Sequence, residues 1–157
     1  MLPNYQRPSH LYRYAERASL LLALEQGKFF LIPTGTGNSA CLTLSFSQSF
    51  NPELFQEFEA ADSCLVIHQC EQFGERLHAA VQRLLPNWVG IDGAVQYGTR
   101  SPLGALFSKP VEQAKQAQWL FAWRSTQASA APLHPVQVNM GSIEKLAQLR
   151  EKDTGTC

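Results

Sequence analysis

Reactive side chains are spread along this 157-residue chain and none completes a familiar catalytic motif. Thr34-Gly-Thr-Gly-Asn-Ser39 has the glycine content of a phosphate cradle. A cradle needs backbone amides at a helix N-terminus, and an apolar β run follows here with no Gly-Lys-Ser/Thr. Cys64, His68, Cys70 and His78 are metal-ligating types. None forms a Cys-x2-Cys pair, and on a strand Cys64 and His68 would lie about 13 Å apart, so no metal site is expected. A nucleophilic hydrolase would need a strained serine turn or a matched Cys/His pair. There is no Gly-x-Ser-x-Gly, and His10, His78 and His134 have no partner visible in sequence. Asp92, in Gly90-Ile-Asp-Gly93, reads as a carboxylate on a tight turn, with Tyr97 and Arg100 close enough in sequence to join a pocket. Trp119, Phe121 and Trp123 alternate along one segment, as a core-facing sheet surface or as an aromatic wall for a flat ligand.

The elements that must position these residues follow from hydrophobic spacing. Residues 1–10, with Pro3 and Pro8, read as an arm or loop. Leu11-Tyr-Arg-Tyr14 alternates as a short strand, and Glu16 to Gln26 is a helix burying Leu20, Leu21 and Leu24, stopped by Gly27. Strands are predicted at Lys28 to Ile32 and Ala40 to Phe46. Asn51-Pro-Glu53 has the cap, first-turn proline and acid of a helix start, with Leu54, Phe55 and Phe58 inward. Cys64 to Gln69 is continuously apolar, so it reads as a central strand. From Glu71 to Leu85, Phe73, Leu77, Val81 and Leu84 share a helical face. Trp88 to Tyr97 reads as one or two short strands with a hairpin at Asp92-Gly93, and Val111 to Gln116 as a helical turn. Gln118 to Arg124 and Pro135 to Met140 are strands, and Ser142 caps a last helix ending near Glu151. The expectation is a single α+β domain over residues 1–151, a mixed or antiparallel sheet flanked by four or five helices, with 152–157 a frayed tail.

Composition limits the function classes. Formal net charge is zero, which disfavours broad nucleic-acid binding. The opening residues lack a signal-peptide core and no apolar run approaches the ~20 residues of a membrane span, so a cytoplasmic location with no membrane contact is expected. Four cysteines without paired spacing are expected to be reduced, with Cys41 and Cys64 in apolar runs. Between Phe29 and Glu75 lie Glu53, Glu57, Glu59, Asp62, Glu71 and Glu75 with no Lys or Arg, which is either a solvated face or a dock for a basic partner.

The order Leu11-Tyr-Arg-Tyr14, Lys28 to Ile32, Leu42-Thr-Leu-Ser-Phe-Ser47, Pro52 to His68, Phe107-Ser-Lys-Pro110 and Gln118 to Trp123 resembles an uncharacterised bacterial family, domain-of-unknown-function family 2971. That family is distantly similar to ADP-ribosyltransferases. The resemblance implies that Arg13 holds dinucleotide phosphates and that Ser45 and Ser47 order the pocket walls. It implies a late glutamate, at Gln116 or Gln118, that stabilises the charge developing as the glycosidic bond breaks. Both positions are glutamine here, which keeps a carbonyl and loses the charge. The implied pocket is Arg13, Ser45, Ser47, Gln118 and Trp119. The expectation is a degenerate transferase-like domain acting as a binding or interaction protein in a defence or accessory role, needing no cofactor and working through a protein partner or a homo-dimer. The alternative is an NAD- or nucleotide-dependent enzyme in which Glu112 or Asp92 supplies the acid.

Overall fold

A computed structural model describes residues 6–35, 40–58, 60–127 and 132–152. Most of the Thr34–Ser39 loop, the tail from residue 153 with Cys157, and Glu59 lie outside the described residues. The fold is α+β. Eight strands form one sheet: β1 (Leu11–Ala15), β2 (Lys28–Thr34), β3 (Cys41–Ser47), β4 (Ser63–Ile67), β5 (Trp88–Ala94), β8 (Gln118–Ser125), β9 (Val136–Asn139) and β10 (Ala147–Glu151). Every pairing in it is antiparallel. Short β6 (Gln96–Tyr97) and β7 (Ser108–Lys109) pair in parallel beside it. The helices are α1 (Arg17–Gln26), α2 (Leu54–Glu57) and α3 (Cys70–Leu84), with 3-10 turns at Ala105–Phe107 and Val111–Gln116. No helix among the described residues is long and apolar enough to cross a membrane.

The strand order is β10-β4-β1-β3-β2-β9, with β8 on the other edge of β3 and β5 outside β8. α1 and α3 cover one face. There Phe73, Leu77 and Val81 of α3 meet Phe29, Phe46, Phe121 and Trp123, the side chains that strand alternation turns inward. The opposite face is covered in two pieces. α2 packs Leu54 and Phe55 on Tyr14, Cys64 and Val66. The segment around Val95 and Phe107 packs on Leu120 and Ala122.

Two expectations are corrected. The helix predicted from Ser142 to Glu151 is a turn followed by β10, so fewer α-helices flank the sheet than the four or five predicted. Ser142 does cap, through the Glu144 amide at 3.2 Å, but only for one turn. Ile143, Leu146 and Ala147 mimic helical spacing, yet the open edge of β4 takes the segment into a five-residue ladder. The hairpin at Asp92-Gly93 is also absent. β5 runs straight through it, paired with β8 from Trp88↔Ser125 to Ala94↔Trp119. Its glycines serve close approach rather than a turn: a Cβ on Gly90 would strike the Trp123 indole, and one on Gly93 would lie 2.5 Å from Leu103 Cδ1.

Candidate functional site

β3 carries two strands along one edge. β2 holds its first half, from Ile32↔Thr43 to Thr34↔Cys41, and β1 meets its last residue alone, at Tyr12↔Ser47. Between them the edge of β3 around Ser45 has no strand partner. Arg13 enters this fork and its Nη1 donates to the Ser45 carbonyl at 2.9 Å, taking the place of a ladder bond. The guanidinium lies 6.0 Å from the Phe46 ring centroid. Burial in the fork pushes its pKa down to about 10. Among the described residues no carboxylate pairs with it.

A cleft of about 200 Å³ opens at the fork, lined by Tyr12, Arg13, Tyr14, Ser45, Phe46, Ser47, Phe58, Gln116 and Gln118. Four of the five predicted pocket residues, Arg13, Ser45, Ser47 and Gln118, therefore border one concavity. Trp119 does not. Its indole is on the opposite face of β8, buried, and donates to Asp92. Strand alternation explains the difference, since consecutive residues of β8 point to opposite faces.

Three polar side chains of the cleft, Ser47, Tyr14 and Gln118, are held by hydrogen bonds to neighbouring groups. Ser47 Oγ lies 2.8 Å from the Gln116 carbonyl and 2.9 Å from that of Ser49, so its proton is engaged with backbone. Tyr14 Oη accepts the Asn51 amide at 2.8 Å, and burial pushes its pKa up to about 12. Gln118 Oε1 accepts from Lys109 Nζ at 2.6 Å, and burial lowers the ammonium's pKa. Phe58, expected inside, is 37% exposed and lies parallel to Tyr14, with ring centroids 5.9 Å apart. Next to the lining residues Phe58 and Gln116, Glu57 and Lys115 pair at 3.2 Å and join α2 to the 3-10 turn. No carboxylate, histidine or cysteine is among the lining residues, so the cleft offers a cation, hydroxyls, carboxamides and aromatic faces.

No known protein family, curated protein or solved structure matches this chain. The chemistry of the site is therefore read from its own geometry.

Asp92 forms a second constellation, on the other face of the sheet. It is buried, and four hydrogen bonds from described residues reach its carboxylate. Arg7 is bidentate, with Nε to Oδ2 at 2.8 Å and Nη2 to Oδ1 at 2.9 Å. His78 Nε2 and Trp119 Nε1 each stand 2.8 Å away. Trp123 Nε1, a donor only, reaches His78 Nδ1 at 3.0 Å. Nδ1 must then be the acceptor, so the imidazole proton is on Nε2 and goes to Asp92. Both ring nitrogens are occupied, which leaves no lone pair to take a substrate proton. The network ties the N-terminal arm to α3, β5 and β8. Sequence reading missed it because residues 7, 78, 92, 119 and 123 have no mutual spacing. One signal was present: Gly74 inside an amphipathic helix and Gly90 inside a strand mark close approaches. A Cβ on Gly74 would strike the Arg7 guanidinium, and one on Gly90 would lie 2.8 Å from His78 Nδ1.

The remaining predicted chemistry is dispersed. Glu112 is exposed on the 3-10 turn and does not line the cleft. His68 is exposed beyond the end of β4, whereas Cys64 and Cys70 are buried with pKa values pushed up to about 12 and about 11 by burial, which keeps them as unreactive thiols. Among the described residues no three His, Cys, Asp or Glu side chains gather as for a metal ion. The acidic block is divided: Glu53 precedes and Glu57 ends α2 on one face, while Glu71 and Glu75 are on α3 on the other. Glu71 is further used by Arg7 Nη1 at 2.9 Å.

Proposed function

We propose that this chain is a transferase-like scaffold that binds a small organic anion in the β1/β3 fork without turning it over. The observation that carries the reading is the Arg13 guanidinium. It is held in the fork by one backbone carbonyl, with burial lowering its pKa and, among the described residues, no carboxylate paired with it. Buried charges are normally paired, so a site that leaves one open favours an anion. Phe58 supplies an exposed aromatic face at the same cleft, which suits a flat ring attached to a phosphate or carboxylate. The volume points the same way. About 200 Å³ is below the roughly 300–1,000 Å³ of clefts that enclose drug-sized ligands, so part of a mononucleotide fits inside and a whole dinucleotide does not.

The lack of a carboxylate, histidine or cysteine among the lining residues supports binding over catalysis. For the enzymatic alternative, Asp92 is across the sheet with four donors on it and Glu112 is off the cleft. Thermal melts with ADP-ribose, AMP and NAD, alongside a nicotinamide-release assay, test the reading. The expected result is a rise in melting temperature with at least one of the phosphates, no rise in an Arg13→Met variant, and no nicotinamide release. Release of nicotinamide by the unaltered protein overturns it, as does a melt indifferent to all three compounds. Release gained only in Gln118→Glu would favour descent from an active transferase.

A further inference from the structure

The sheet has three outer edges, and two of them carry features that discourage further pairing. β9 is four residues long and follows Pro135. β10 carries Arg150 and Glu151. Natural edge strands are kept short, charged or interrupted by proline because an open row of amides and carbonyls templates another strand. β5 is neither short, nor charged on its outward side, nor interrupted by proline. Trp88-Val-Gly-Ile-Asp-Gly-Ala94 is seven residues long, contains no Lys, Arg, Glu or Pro, and pairs with β8 without a bulge. Its one charge, Asp92, is turned inward and is 3% exposed. On its outer edge the Trp88 amide donates to the Leu85 carbonyl at 3.0 Å, and among the described residues no strand pairs there. Val89 and Ile91 stand 49% and 47% exposed on one face.

We infer that the β5 edge pairs antiparallel with β5 of a second copy, joining two sheets across a two-fold axis at Gly90. A two-fold axis makes residue i face residue j and j face i. With Gly90 opposite Gly90 of the second copy, Val89 falls opposite Ile91 twice, giving two pairs of β-branched side chains of the kind that stabilise sheets. Over Gly90 itself each chain already places its Trp123 indole, so the glycine leaves no hole at the junction. Charge favours a second copy over a charged partner. The strand's outward side chains are neutral and the chain's formal net charge is zero, so nothing repels an identical molecule. Arg124, opposite Val89 on β8, is a charged side chain on that face. The two copies' β8 strands would be three strand spacings apart, roughly 14 Å. That exceeds the screening length of about 8 Å at physiological salt.

The test is light scattering of the full chain over a concentration series, for the unaltered protein and for Val89→Lys and Ile91→Lys. Both side chains are half exposed, so the lysines leave the core intact, and matching thermal melts and tryptophan spectra verify this. The expected result is a mass rising towards twice the 17.5 kDa of the chain in the unaltered protein and remaining at one chain mass in both lysine variants. A mass fixed at one chain throughout overturns the inference, including the case in which the monomer takes up an extended peptide instead. A dimer that survives both lysines also overturns it, because association then uses another surface.

Discussion

Four donor groups converge on the Asp92 carboxylate from three segments distant in sequence: two from Arg7 in the arm, one from His78 on α3 and one from Trp119 on β8. A group so placed acts on stability through what its loss would strand. Removing one member of a buried ion pair leaves the other charge desolvated and unpaired, which typically costs about 3–5 kcal/mol. Asp92→Asn should therefore destabilise the protein by roughly 3 kcal/mol in urea unfolding, since Glu71, at 57% exposure, is a weak substitute partner for Arg7. Combining it with Arg7→Met removes the stranded charge. The double variant should be more stable than the sum of the single losses predicts, by about 1 kcal/mol or more. Strict additivity would mean that Arg7 and Asp92 stabilise the fold independently, contrary to the geometry.

Among the elements, those whose pattern needs no long-range knowledge were legible. Phe73, Leu77 and Val81 mark α3 because each stands four residues from the next, and Trp119, Phe121 and Trp123 mark β8 because each stands two from the next. The last strand was not legible. Ile143, Leu146 and Ala147 fit a helix locally, and only the open edge of β4 makes residues 147–151 a strand. Asp92 failed for a related reason, because a carboxylate between glycines is a turn signal unless another strand lies alongside. Of the cleft, Arg13, Ser45, Ser47 and Gln118 were readable from motif order, but the fork that gathers them depends on where β1 and β2 leave β3. The strand assignment has its own consequence. Gln148 is exposed opposite Val66, so Gln148→Thr places a β-branched side chain in a cross-strand pair. Stability should rise by a few tenths to about 1 kcal/mol. In a helix the same change would lower stability by a few tenths. Chemical denaturation separates the two signs.

At the scale of the whole molecule, the proposed binding role sets stability and binding against one another at the fork. A sheet closed across β1 and β3 would pair the edge of β3 fully, whereas here a guanidinium bridges the opening and also lines a cavity of about 80 Å³ with Lys28 beside α1. Burial lowers the pKa of Arg13 to about 10, so the folded state disfavours its charged form throughout the neutral range. On the proposed reading, an unpaired cation of this kind is retained for the anion it binds, since an apolar side chain of similar volume would pack in its place. Arg13→Met should accordingly raise the stability of the unliganded protein, by about 1–3 kcal/mol by analogy with buried charges replaced by apolar side chains. It should abolish the rise in melting temperature on adding a phosphate ligand. The two effects run in opposite directions, which separates them from general damage. A variant that loses both stability and ligand response would assign Arg13 to holding the strands together, and the anion would have to bind elsewhere.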